Sequence, residues 1–314
     1  MINERQKQFQ EQLLEFPQPA QRILQSIPRQ AGRLFARQCT ELIQHLEIDL
    51  EQLMTRLLPL AKTYAVVPVS GFQVGAVALA DTGSNGGSMD LFLGANIEFM
   101  HQPLNQSIHA EQSAALHAWH QGAQFLRAIA TSEPPCGYCR QFLYEFDKSA
   151  QMMVVTPDGE NGGYRKEMLS DILPRAFGPS DLDNPAGLMA PATVDRIFRL
   201  PAAAKDRTAA EALMAAEKSY APYTRNVAGC GLQTSTGKIF KGRCAESAAF
   251  NPSLTALHSA ILCLNMATFE AKQNVQRVVL VERPTKVSQR RAAELLMESW
   301  APEIDLEYYT IEEG

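Results

Sequence analysis

The sequence predicts an α/β protein made of two copies of one three-layer α/β/α unit, preceded by a helical segment. Three observations carry that expectation. Through the first half, apolar residues recur first at helical and then at strand spacing, in the order helix, two strands, helix, strand, helix. The second half repeats signals of the first: Pro222-Tyr223-Thr224-Arg225-Asn226-Val227-Ala228-Gly229 aligns with Pro68-Val69-Ser70-Gly71-Phe72-Gln73-Val74-Gly75. Farther on, Ile239-Phe240-Lys241-Gly242 aligns with Leu91-Phe92-Leu93-Gly94 and Glu246 with Glu98, across a loop six residues shorter.

Residues 1–48 read as a helical segment interrupted by prolines. Asn3 caps a piece that reaches Phe16, and Pro17, Pro19 and Pro28 interrupt the stretch beyond it. The first unit spans 49–185. A stronger helix begins at Asp49, with Gln52 at the capping-box position and Leu53, Met54, Leu57, Leu58, Ala61 and Tyr64 on one face. Strands come next over Phe72–Leu79 and Met89–Leu93, joined by a flexible loop from Asp81 to Gly87. A helix starts near His109 and ends about Gly122, Ala128–Thr131 reads as a strand, and Pro135 suits the first turn of the next helix. The second unit spans 205–314. Its register puts Leu257 where His109 stands and Ser259 where Glu111 stands, and no C-x-x-C comes after them. The second copy keeps the fold signals and lacks the metal chemistry.

At 314 residues, 46% of them hydrophobic and 20% charged, the chain has ample core for two modest units. A net charge of -5 and a pI of about 5.8 provide no global basic field, which argues against nucleic acid as a partner. The polar opening Met1-Ile2-Asn3-Glu4-Arg5-Gln6 does not read as a secretory leader, and no run of 18 apolar residues reads as a membrane span. Six cysteines, two of them in a C-x-x-C, suggest reduced thiols and a metal, so the expected location is the cytoplasm.

That C-x-x-C carries the chemistry. Ser107-Ile108-His109-Ala110-Glu111 is succeeded by Pro134-Pro135-Cys136-Gly137-Tyr138-Cys139-Arg140. His109, Cys136 and Cys139 offer one imidazole and two thiolates to a tetrahedral zinc, one ion per chain, and three protein ligands leave an open position that marks a catalytic site. Cys136 and Cys139, at i and i+3, share one helix face. Two thiolates and a neutral imidazole bring zinc to about zero net charge, a weak Lewis acid, so the nearby helix N-termini must help. Glu111 is placed to carry a proton from water to a cytosine ring nitrogen and then to the leaving amine. H-x-E with P-C-x-x-C is the signature of zinc-dependent base deaminases.

From Gly71 to Arg140 the chain resembles the cytidine deaminases that act on free nucleosides, especially the long homodimeric bacterial form. That form has an N-terminal helical piece, a catalytic domain and a zinc-free deaminase-like domain. The resemblance covers nearly the whole chain beyond about residue 45 and is most specific at Phe92-Leu93-Gly94-Ala95-Asn96-Ile97-Glu98, His109-Ala110-Glu111-Gln112-Ser113-Ala114 and Pro135-Cys136-Gly137-Tyr138-Cys139-Arg140-Gln141-Phe142. It implies the cytidine-deaminase-like fold and hydrolysis of cytidine and 2′-deoxycytidine to the uridines in pyrimidine salvage. It further implies that Asn96 and Glu98 bind the ribose 3′-hydroxyl, that Phe72 walls the pyrimidine, that Ala110 contacts substrate and that Phe177 closes over the base. By the same resemblance, the Ala245 to Pro252 loop reaches the partner's active site in a homodimer. The long Thr82 to Met89 loop and the extended N-terminus are departures from the family pattern.

Cys39, Cys230, Cys244 and Cys263 read as buried small hydrophobes, and His101, His117 and His120 as surface or near-site residues without a ligand role. Arg140 either screens the thiolates or is a surface arginine. Two other functions stay open: a deaminase of nucleotides or of cytosine in nucleic acid, and a zinc-stabilised binding protein that has lost activity. The first needs basic or aromatic groups absent near the motif; the second must explain why His109, Glu111, Cys136 and Cys139 are all present.

Overall fold

Asn3 caps the first helix, its side chain accepting from the Arg5 amide at 3.0 Å. The computed structural model describes residues 3–83, 89–159, 163–184, 186–190, 197–204, 206–269 and 275–314. Helices α1 (Glu4–Leu14), α2 (Gln18–Leu24) and α3 (Ala36–Leu46) form the opening segment, which also donates a short strand, β1 (Arg33–Leu34), to the first sheet. Arg5 straps this segment to both units. Its guanidinium donates to the Tyr64 carbonyl, to Asn265 Oδ1 and to the Phe269 carbonyl.

The capping box at Asp49 forms as the sequence predicts: Asp49 Oδ1 accepts from the Gln52 amide at 2.7 Å and Gln52 Oε1 from the Asp49 amide at 2.9 Å. The apolar face predicts one helix continuing to Tyr64. The chain instead forms α4 (Leu50–Arg56) and α5 (Leu58–Lys62), because Pro59 has no N–H to donate to the preceding turn. The expected apolar face survives the break, with Leu53, Met54, Leu57, Leu58, Ala61 and Tyr64 all buried.

Strands β2 (Gly75–Asp81) and β3 (Met89–Ala95) pair antiparallel. β2 starts three residues later than expected, since Asn96 occupies the backbone before it: its Oδ1 accepts from the Val74 amide and its Nδ2 donates to the Phe72 carbonyl, both at 2.9 Å. Of the expected loop, 84–88 lies outside the described residues. His109 is the N-cap of α6 (Ala110–His120), and β4 (Phe125–Thr131) is longer at its start than the sequence suggests. Cys136 is the N-cap of α7 (Gly137–Leu143), so Pro135 lies just outside the first turn rather than in it. β5 (Met153–Asp158), β6 (Gly163–Met168) and α8 (Leu169–Ile172) complete the unit. The strand order is β1-β3-β2-β4-β5-β6, with β2 antiparallel to β4 and β4 parallel to β5.

Strand β7 (Phe198–Arg199) precedes the second unit and pairs with its last strand; the unit comprises α9 (Arg207–Glu217), β8 (Ala228–Thr234), β9 (Ile239–Arg243), α10 (Ala256–Ala267), β10 (Val275–Glu282), α11 (Arg290–Trp300), β11 (Leu306–Thr310) and β12 (Glu312–Glu313). Its sheet order β9-β8-β10-β11, antiparallel twice and then parallel, reproduces β3-β2-β4-β5. Close approaches fix the equivalence: a Cβ on Gly94 would lie 2.2 Å from the Ala114 amide of α6, and one on Gly242 2.2 Å from the Ala260 amide of α10. Only glycine admits a helix that near. Ala114 therefore matches Ala260, and this corrects the sequence register. Thr255, not Leu257, stands in the place of His109, and Leu257, not Ser259, in that of Glu111. The loop is the reason, since His109 comes eleven positions after Glu98 while Thr255 comes nine after Glu246.

α6 and α10 pack on each other, and one buried apolar cluster runs through both units. Arg5 and Asn265 make a testable joint in that shared structure. Arg5→Ala and Asn265→Ala should each lower stability to urea by about 1–3 kcal/mol, and the double variant by clearly less than the sum. Strict additivity would show that the strap carries no coupling.

Candidate active site

The two ligand-bearing segments arrive from different helices. His109 caps α6, Cys136 caps α7, and Cys139 lies one turn into α7. His109 Nδ1 is 3.6 Å from Cys136 Sγ and 3.2 Å from Cys139 Sγ, and the three ligand atoms lie within 4.8 Å of one another. Zinc bonds of ~2.3 Å to sulfur and ~2.0 Å to nitrogen at a tetrahedral angle put S and N about 3.5 Å apart. The donor set and its spacing fit zinc. No other group of three or more His, Cys, Asp or Glu side chains converges this way among the described residues.

Hydrogen bonds from Cys139 and His109 pull the exposed Cys136 thiol down to about 3. The same Cys136–Cys139 contact, with burial, pushes Cys139 upward. Glu111, only 5% exposed, sits in the first turn of α6, and burial raises its carboxyl above the ordinary range against the pull of its own backbone amide and of Cys139. A carboxyl that shuttles a proton benefits from that direction of shift.

A cavity of about 390 Å³ opens over these groups. Phe72, Asn96, Glu98, His109, Ala110, Glu111 and Cys136 all line it, while Cys139 lies buried beneath. Phe177 does not join them. It is 46% exposed and off the lining, its carbonyl accepting from Gln141 Nε2. Sequence reasoning missed Ser70, Phe99, Gln102, Leu104, Glu133 and Pro134 on the rim. Glu133 and Pro134 stand directly before the P-C-x-x-C and were within reach of inference, whereas the rim around Phe99 to Leu104 has no motif.

Glu98 is already engaged. It accepts from the Val69 and Ser70 amides at 3.0 Å and from the Ser70 hydroxyl. Burial opposes its charge, but the bonds from Ser70 and Val69 outweigh burial and hold its carboxyl below the ordinary value. Glu246 accepts in the same way from the Tyr223 and Thr224 amides and the Thr224 hydroxyl. A turn lock shared by both units is a property of the fold. A carboxylate has about four lone-pair sites, which leaves one for a ligand.

Two further readings change, and the one on the remaining cysteines holds. His117 is not a surface group: it is 1% exposed, packs edge-on to Phe92, and its Nδ1 bonds the Leu93 carbonyl at 2.8 Å. Arg140 neither screens thiolates nor floats free, because Nε donates to the Pro135 carbonyl and Nη1 to the Ile172 carbonyl. It steadies the turn before Cys136. Cys39, Cys230 and Cys244 are buried and Cys263 partly so, all as free thiols. Among the described residues, no helix is long and apolar enough to cross a membrane.

Residues 38–156 and 169–294 each match a family model described as the cytidine and deoxycytidylate deaminase zinc-binding region. The chain is 40% identical over 262 residues to the cytidine deaminase of Sodalis glossinidius, covering 81% of each chain. It is 39% identical over 277 residues to that of Serratia proteamaculans, covering 87% of this chain and 89% of the relative. It is 38% identical over 300 residues to that of Pectobacterium carotovorum, covering 94% and 95%.

Elemental analysis of the purified protein should return one zinc per chain. Cys136→Ala should lose most of it on dialysis against a chelator; full retention, or two ions per chain, would contradict the ligand set.

Proposed function

From a chain that belongs to the cytidine and deoxycytidylate deaminase family in both of its halves, we propose a division of labour in which residues 49–185 carry the reaction and 205–314 support it. The reaction is the zinc-dependent hydrolytic deamination of cytidine to uridine and ammonia; 2′-deoxycytidine is the second substrate we assign. The observation that carries the residue assignment is one cavity holding both a three-ligand metal site and a buried carboxyl, Glu111.

His109, Cys136 and Cys139 hold the zinc, whose Lewis acidity when bound makes a water acidic enough to ionise near pH ~7. Glu111 takes the proton of the attacking water and delivers it to the pyrimidine ring nitrogen; it then takes the proton of the new C4 hydroxyl and passes it to the amine, which leaves as ammonia while the C4 carbonyl forms. Glu98 and Asn96 meet the ribose 3′-hydroxyl, one accepting and one donating. Phe72 and Ala110 border the base. We keep Phe177 as a contact only in an assembled dimer. The cavity favours a neutral nucleoside over a nucleotide: Glu98, Glu111 and Glu133 line it, and none of its described lining residues is Lys or Arg. A binding protein without activity has no use for a buried proton carrier above a metal site.

We further propose a homodimer in the cytoplasm, in keeping with six cysteines that form no disulfide. Phe72 is 58% exposed at the cavity mouth and Phe250, on the Ala245 to Pro252 loop, is 63% exposed. Both are apolar surfaces that an isologous contact covers twice. In that arrangement the loop of one chain completes the cavity of the other.

Two experiments test these roles. Glu111→Gln should keep zinc and fold while kcat falls by at least ~10², and near-normal turnover in the zinc-replete variant would remove Glu111 from its role. Mixing inactive Glu111→Gln chains with inactive chains altered at Ala248 to Phe250 should restore activity, since one cavity of the mixed dimer receives an intact carboxyl and an intact loop. Proven heterodimers without activity would mean that each cavity is built from a single chain.

A further inference from the structure

Two consecutive carbonyls of the metal-free unit are gripped by side chains that flank the metal ligands. The Tyr138 hydroxyl donates to the Asn251 carbonyl at 2.6 Å, and Gln112 Nε2 donates to the Pro252 carbonyl at 3.0 Å. Tyr138 lies between Cys136 and Cys139, its ring centroid 5.3 Å from that of His109. Gln112 is fully buried, and its other amide atom, Oε1, accepts from the His109 backbone N–H at 3.1 Å. The same loop is pinned at its other end, where the Ala248 amide donates at 2.8 Å to Oε2 of Glu145. Glu145 is itself fully buried and also accepts from the hydroxyls of Tyr220 and Tyr223.

We infer that the dipeptide Asn251-Pro252 is a brace for the metal centre, setting the distance between the segment that carries His109 and the segment that carries Cys136 and Cys139. The physical need is plain. The ligands sit on the N-terminal ends of two different helices, and no covalent link fixes one end against the other. Adjacent carbonyls on a loop pinned at Ala248 supply that link, with one donor from each helix. Gln112 and Tyr138 are thus positioning residues, acting on zinc through His109 and the two cysteines. Groups that orient metal ligands in this way are typically worth ~10–100-fold in metal affinity. The brace works within one chain, so it gives the metal-free unit a role separate from any contact with a partner. It rests on the zinc assignment to His109, Cys136 and Cys139.

The test uses the full-length protein with Tyr138→Phe, which deletes one hydroxyl and keeps the ring, and Gln112→Met, which keeps volume and deletes both bonds. Zinc affinity is read by competition with a chromogenic chelator, and ligand geometry by the visible absorption of the Co²⁺-substituted protein. Each variant should bind zinc about tenfold or more weakly and shift the Co²⁺ bands; the thermal midpoint of Tyr138→Phe should stay close to that of the parent, while that of Gln112→Met should fall, since two buried backbone groups lose their partner. If the parent binds one zinc through the three ligands and both variants match its affinity and its Co²⁺ spectrum, the brace is wrong and the zinc assignment stands. If the parent binds no zinc at those residues, both fall together. Should Gln112→Met fail to fold, Tyr138→Phe decides alone.

Discussion

The contact on which the site depends is the seating of α6 against β3 at Gly94. With no side chain on that glycine, the helix backbone lies directly on the strand. This sets the depth and rotation of α6 and so places its first residues, His109, Ala110 and Glu111, along one wall of the cavity. The β4–α7 junction brings Cys136 and Cys139 to the same point from the other side of β2. The unpaired amides at the start of α7 favour the thiolates there, while the spacing between the two helix ends is left to other contacts.

Three glutamates of the first unit show how environment divides one side-chain chemistry. Glu98 is held ionised by two amides and a hydroxyl and shapes the turn at Val69 and Ser70. Glu111 has fewer donors and is buried, so its carboxyl is held above the ordinary range. Glu145 is buried outright, and two tyrosine hydroxyls and an amide of the second unit meet its charge. Burial pushes both of these carboxyls upward; Glu111 lines the cavity, whereas Glu145 is tied to three donors of the second unit.

The second unit shows what the fold requires apart from the chemistry. It keeps the glycine under α10 and the carboxylate lock at Glu246, and it has a threonine cap in place of the histidine and Leu257 in place of the acid. Its surface toward the first unit is specific rather than merely apolar. Besides the loop pinned at Ala248, Gln102 on the cavity rim donates to the Leu295 carbonyl of α11, and Phe99 meets the His258 ring edge-on. A cavity wall made of irregular backbone needs such backing, since its own hydrogen bonds do not fix it.

Local sequence was enough for the metal site and for the place of Glu111 beside it, because H-x-E and P-C-x-x-C put donors at short spacings that helix ends turn toward one point. It was also enough for the duplicated α/β/α plan, through apolar periodicity and paired glycines, and for the caps at Asn3 and Asp49, which involve only nearby residues. Tertiary packing settled the features that depend on distance. Pro59 splits a helix whose apolar face reads as continuous, and the Asn96 side chain displaces the start of β2. A shorter loop moves α10 by two residues, so Thr255 and Leu257 hold the equivalent positions. Phe177 reads as a pocket aromatic yet lies off the cavity, and His117 reads as peripheral yet is core. Gln112, Tyr138 and Glu145 gave no sign of their partners, which lie more than a hundred residues away except for Tyr220 and Tyr223. Such contacts belong to the way two units pack, and no local pattern of residues encodes which carbonyl a buried amide will find.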